Sequence, residues 1–148
     1  MTDKEPSVNP ATDAELFGLW EAGILDWQLW DQQIPIYNEL RALPFEAWVA
    51  IVLCHRGFCN SHLCALRAVE YCLRMKDEAV LLVGPTREQA MDILRPRINK
   101  IIKTAPPGLV IPRPSADRWI VGSCELMIGG FDIRPDSERG NNPKQIYI

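Results

Sequence analysis

Two unbroken apolar runs, Trp48-Val49-Ala50-Ile51-Val52-Leu53 and Ala79-Val80-Leu81-Leu82-Val83, constrain this chain more than any other feature. Neither alternates with polar residues, so each reads as a strand covered on both faces, as strands of a parallel sheet are. Each run is followed by a segment with helical spacing. After the first, Leu63, Leu66, Val69 and Leu73 recur three or four apart, with Arg67, Glu70 and Arg74 between them. After the second, Ala90, Ile93, Leu94, Ile98, Ile101 and Ile102 form an apolar face. Thr86 is placed to cap that helix, and Pro96 is expected to kink or divide it. The order strand–helix–strand–helix implies parallel strands joined by right-handed crossovers, an α/β sheet.

The flanks of this unit have a different texture. Residues 1–13 are polar, with Pro6 and Pro10, and read as a loose arm. Residues 14–46 read as a helical lead-in: Leu16, Phe17, Leu19, Trp20, Ile24 and Leu25 recur at helical spacing, then Trp27, Trp30, Ile34, Tyr37 and Leu40, until Pro44 ends the region. An aromatic stripe at this spacing is more often core than a stacking platform. Beyond the second helix, Pro106-Pro107-Gly108, Pro112 and Pro114 make a loop. Arg118-Trp119-Ile120-Val121 and Cys124-Glu125-Leu126-Met127-Ile128 then flank Gly122-Ser123, a two-residue hairpin signal, and Gly129-Gly130 is expected to close the hairpin. A polar connection leads to Gln145-Ile146-Tyr147-Ile148, which reads as the start of another buried strand.

At 148 residues the chain suits one domain of ordinary size. No apolar run reaches the roughly 18 residues of a membrane span, and Met1-Thr2-Asp3-Lys4-Glu5-Pro6 lacks the basic start and apolar centre of a signal peptide, so an intracellular protein is expected. Charge is divided unevenly: residues 1–50 carry nine acids and two bases, residues 51–148 ten acids and fourteen bases, so an anionic ligand is expected on the second part. Cys54, His55, Cys59, His62 and Cys64 offer soft metal ligands within a short stretch. No C-x-x-C pair brings them together, and the local pattern reads instead as a buried strand and helix in which Cys serves as a small apolar residue.

The segment between the first strand and its helix gathers backbone N–H groups suited to phosphate. Laid over the pattern G-x-x-x-x-G-K-[ST] with Ser61 as the hydroxyl, the glycine positions fall on Cys54 and Cys59 and the lysine position on Asn60. His55-Arg56-Gly57-Phe58-Cys59-Asn60-Ser61-His62-Leu63 nevertheless resembles the Arg-Gly-x-Gly-Lys-Ser segment of the large subunit of tailed-phage terminases, the motors that pump viral DNA into capsids. It keeps Arg56, Gly57 and Ser61 and departs at Cys59 and Asn60. Leu81 to Ala90 is similar to the helicase-like segment that follows in those proteins. The hairpin with Gly122-Ser123 at its tip looks like the strand pair carrying their Asn-Gly-Ser type turn, and Gln145 to Ile148 resembles the apolar strand before the Asp-Glu pair of Walker B. The resemblance covers roughly Leu29 to the end.

The resemblance implies a P-loop NTPase-like three-layer sandwich with a mainly parallel sheet, of which residues 47–148 are the front part, incomplete at the C-terminus. It implies ATP and Mg as ligands, with Arg56, Gly57, Cys59, Asn60, Ser61 and His62 around the phosphates, Ser61 on the Mg, and Gln33 reading the adenine, with Gln32 as its rival and an exposed helix glutamine as the other reading. Thr86 and Arg87 would lie near DNA or the next subunit, or else form an ordinary strand-end turn and helix cap. Double-stranded DNA, the small terminase subunit and the portal are the implied partners, homo-oligomerisation is possible within the family role, no membrane contact is implied, and the host cytoplasm is the implied location. The family activity is ATP-driven translocation of double-stranded DNA. Asn60 replaces the lysine with a neutral dipole, Cys59 adds a side chain where backbone meets phosphate, and the Walker B acids have no counterpart, so no ATP hydrolysis is expected from this polypeptide alone. The alternative is a non-catalytic interaction module derived from a terminase.

Overall fold

The structure is a computed structural model that describes residues 12–43, 60–113, 117–132 and 145–147. The first expected strand, 47–53, and the loop carrying Arg56, Gly57 and Cys59 lie outside the described residues.

The lead-in is more broken than its apolar spacing suggests. Helix α1 spans Asp13–Ala22, and the Thr12 hydroxyl accepts from Glu15 N at 3.2 Å to cap it. It stops at Gly23, which takes the left-handed φ of 66° while Ile24 N donates to Leu19 O at 2.9 Å, a terminus that glycine adopts without strain. Two 3₁₀ turns follow, Asp26–Gln28 and Asp31–Gln33, before helix α2, Ile34–Ala42. Trp27 and Trp30, expected on one helix with Tyr37, therefore sit on separate turns. Pro35, at the start of α2, is the residue that marks the boundary, because its missing N–H falls where a helix has no acceptor for one. Leu43 ends α2 in extended backbone, as the residue before a proline does.

Helix α3 spans Asn60–Arg74, strand β1 Ala79–Gly84 and helix α4 Arg87–Ile102. Thr86 caps α4, its hydroxyl accepting from Gln89 N at 3.1 Å. Pro96 does not divide α4, which runs through it unbroken with Pro96 and Asp92, the residue four positions before it, both exposed.

Strands β2 (Val110–Pro112), β3 (Arg118–Val121), β4 (Cys124–Gly130) and β5 (Gln145–Tyr147) complete a five-stranded sheet in the order β2-β3-β4-β1-β5. The fold is α/β. The sheet is mixed rather than mainly parallel: β1 pairs parallel with β4 and β5, whereas β2–β3 and β3–β4 are antiparallel. The tight turn at Gly122-Ser123 is the reason, since Val121 and Cys124 pair directly across it and Gly122 takes φ 61°. Gly129 and Gly130 do not close the hairpin. They extend β4 alongside Val83 and Gly84, and at Gly130 any Cβ would collide with the backbone of Thr86 and Arg87. The expected proline loop also yields a strand, β2, at the sheet edge, where Pro112 needs no ladder partner.

One core unites the lead-in with α3, α4 and one sheet face. Trp20, Leu25, Leu29 and Tyr37 are fully buried beside Leu66, Val69, Ile98, Ile101, Val80, Leu82, Leu126 and Ile128. Burial of each leucine stabilises the fold by roughly 1.5–3 kcal/mol, so the lead-in is part of the domain rather than an appendage. Leu81, Val83 and Met127, pointing to the opposite face, are also buried, so this sheet is covered on both sides. Among the described residues no helix is long and apolar enough to cross a membrane.

Candidate nucleotide-binding site

Asn60, Ser61 and His62 are the first three residues of α3, where helical N–H groups lack partners within the helix. His62 is only 3% exposed. Its Nε2–H donates to the Gln28 carbonyl at 3.1 Å, which leaves Nδ1 as the lone-pair nitrogen, buried and, among the described residues, without a hydrogen-bond partner. Burial holds the imidazole below its ordinary pKa, and Arg97 and Lys100 push it further down against the opposing pull of the Gln28 carbonyl, so the ring is neutral near pH 7. Asn60 Oδ1 is likewise buried and has no partner among the described residues. The first turn thus carries a hydroxyl at Ser61 and two polar atoms without a partner among the described residues.

Gln33 lies on the second 3₁₀ turn and is completely buried. Its Oε1 accepts from Trp30 N at 3.1 Å while Gln33 N donates to Trp30 O at 2.8 Å, so the side chain fixes its own turn. Gln32, its rival in the sequence, is exposed on the same turn. Trp30 in turn packs on His62, ring centroids 5.5 Å apart and planes at 40°. The turn carrying Gln33 and the helix start carrying Ser61 are therefore brought together through Trp30, Gln28 and His62. Gln28 also reaches α4, its Nε2 donating to Ile101 O at 3.4 Å.

A buried carboxylate ties α3 to the lead-in. Glu70, on α3 with no exposed surface, accepts from Leu25 N at 2.8 Å, from the Tyr37 hydroxyl at 2.8 Å and from Arg67 at 3.1 Å. Arg67 lies over the Tyr37 ring, 5.5 Å from its centroid, and Arg74 donates to Gly23 O at 3.0 Å. Burial raises the Glu70 pKa more than these donors lower it. Burial, then the neighbouring Glu70 charge, pushes Tyr37 well above the ordinary tyrosine range, so it stays a donor. Sequence spacing placed Glu70 among the polar residues between core positions. Its burial follows from Leu25 N and Tyr37, two partners that come from the distant lead-in.

Thr86 and Arg87 stand at the start of α4, beside the adjoining ends of β1 and β4. Thr86 is the helix cap. Arg87 N donates to Asp132 Oδ1 at 2.8 Å, and the guanidinium donates to Asp117 Oδ2 at 2.6 Å, so this helix start already holds a carboxylate of its own chain. The thiols near α3 are not activated: burial raises the Cys64 pKa, and burial with Cys124 nearby pushes Cys72 up to about 12. Of the soft ligands in the sequence, Cys54, His55 and Cys59 lie outside the described residues, and His62 uses Nε2 on Gln28.

Compared with protein-family models, with curated proteins and with solved structures, the chain matches none.

Proposed function

We propose that this chain is the front part of a terminase large-subunit ATPase domain, a P-loop NTPase-like three-layer sandwich whose family role is ATP-driven translocation of double-stranded DNA into a capsid. The observation that carries the reading is the packing of the Gln33 turn on the first turn of α3 through Trp30 and His62. The terminase resemblance assigns these two segments to opposite ends of one nucleotide, and they are far apart in the sequence. The covered second sheet face supports the third layer, and the parallel pairing of β5 with β1 suits a strand that delivers acids to the same sheet edge. In this reading Ser61 would hold Mg, Arg56, Gly57, Cys59, Asn60 and His62 would surround the phosphates, and the partners would be DNA, the small subunit and the portal in the host cytoplasm.

The residues at the α3 start suit binding better than turnover. Backbone N–H groups and the Ser61 hydroxyl fit a phosphate and its Mg, but Asn60 and the neutral His62 add no positive charge where the transferring phosphoryl group needs it. Purified chain should bind ATP weakly and show no turnover above background. Changing Cys59→Gly together with Asn60→Lys should tighten ATP binding by about tenfold or more, read by calorimetric titration. No gain from the double change would count against a phosphate site in this loop.

Asn60 and the commitment of Gln33 Oε1 to Trp30 N favour a second reading, a non-catalytic interaction module that keeps the fold. Magnesium-dependent ATP turnover by the wild-type chain would dismiss it.

A further inference from the structure

We propose that two copies of this chain pair through the outer face of α4 on one and the outer stripe of α1 on the other. Phe17 of one copy enters the groove beside Ile93 of the other, and the carboxylates of Asp13 and Glu21 meet Arg97 and Lys100. This pairing stands apart from the nucleotide reading, since neither face includes a residue of that site.

Residues 93–103, the second half of α4 and its C-cap, carry four bases and no acid. Of these bases, Arg97 and Lys100 share a stripe with Ile93 and Pro96, because steps of three and four residues keep to one helix face. Ile93 is 51% exposed, and among the described residues Arg97 and Lys100 form no ion pair. With Asp92 these residues line an open groove of about 400 Å³, enough room for an aromatic ring. Laying α4 on α4 of a second copy would bring like charges together, so this face calls for an acidic partner.

The chain itself holds the complement. The described lead-in, residues 12–43, carries six acids and one base. On α1, Asp13, Phe17 and Glu21 are spaced by four, which sets one aromatic ring between two carboxylates on a single stripe. All three are exposed, Phe17 by 37%, and among the described residues Asp13 and Glu21 form no ion pair. Within one chain the two stripes do not cover each other: Phe17 and Ile93 both stay exposed, while α1 meets the residues just past α4 through Trp20, whose Nε1 donates to Thr104 at 3.3 Å. An aromatic anchor in a groove with charges around it has the make-up of an interface centre and its rim. Stripes this short cover less than a standard interface, so the pairing is weak and sensitive to salt.

Sedimentation velocity of the full chain at about 0.05 M and about 0.5 M salt tests the pairing. Wild type is compared with Arg97→Glu/Lys100→Glu, with Asp13→Lys/Glu21→Lys, with an equal mixture of these two variants, and with Asp31→Lys/Glu39→Lys as a charge control on the lead-in outside the stripe. Wild type should self-associate at low salt with a Kd on the order of tens of micromolar, and at least about tenfold more weakly at high salt. Each charge-reversed variant alone should associate at least about tenfold more weakly than wild type, the mixture should regain wild-type association, and the control should stay within about threefold. Wild type that is monomeric at both salts, or a mixture that regains nothing, would overturn the inference. So would a chain that sediments faster only when a double-stranded DNA oligonucleotide is added, which would give the α4 face to nucleic acid. If circular dichroism shows that a charge-reversed variant does not fold, Phe17→Ser and Ile93→Ser decide: weaker association in both supports the pairing, and unchanged association in either contradicts it.

Discussion

Glu70 shows how one side chain acts on the whole domain through its surroundings. Its carboxylate is buried, and desolvation outweighs the donors at Leu25, Tyr37 and Arg67 together with the charge of Arg74, so the folded state holds the Glu70 proton more tightly than the unfolded chain does. The stability linked to this proton is complete below the ordinary value of 4.5 and is lost as pH rises through the raised folded value. His62 works in the opposite direction: its pKa is lowered from 6.5, so the stability of its neutral form is complete above that value and lost as pH falls through the lowered one. Glu70→Gln fixes the neutral form and should remove the decline on the alkaline side of the Glu70 window while keeping the acid-side loss of His62. Thermal melts of both proteins between pH 4 and 8 measure this, and a Glu70→Gln curve parallel to wild type would contradict it. Glu70→Ala should cost about 3 kcal/mol in denaturant unfolding, because Leu25 N and the Tyr37 hydroxyl stay buried without their acceptor.

At the scale of elements, local chemistry decided most boundaries that the sequence made readable. Thr86 caps α4 and Gly122-Ser123 turns the hairpin because each residue satisfies its backbone with near neighbours. What the local pattern missed depends on contacts from afar. Gly129-Gly130 resembles a hairpin stop, yet it continues β4 because the start of α4 lies against that strand and leaves no room for a side chain. Gly130→Ala should therefore destabilise the domain by at least about 3 kcal/mol, since the obstacle is backbone and cannot rotate away. Gly18→Ala is the counterpart: in α1 a Cβ at Gly18 meets nothing within 4 Å, and the change should stabilise by roughly 0.5–1 kcal/mol. Equilibrium urea unfolding of both variants reads the contrast, and equal effects would mean that the close approach at Gly130 is absent in solution.

For the molecule as a whole, the α/β order of elements was legible because buried strands and amphipathic helices leave different apolar periods in a sequence. The mixed sheet was less so, since β2 is a short edge strand rich in proline context and pairs only through its neighbour β3. The candidate site was half legible. Ser61 and Gln33 could be named from motif resemblance, but Gln28 and Trp30 have no motif, and only folding brings them to the α3 start. If the start of α3 receives a nucleotide, as proposed, the ligand should be found there. Two-dimensional amide NMR of the labelled chain titrated with Mg·ATP locates the ligand directly. The amide signals of Asn60, Ser61, His62 and Leu63 should move most, followed by those of Gln28 and Trp30. Shifts confined to Thr86 through Gln89, or no shifts at all, would contradict it.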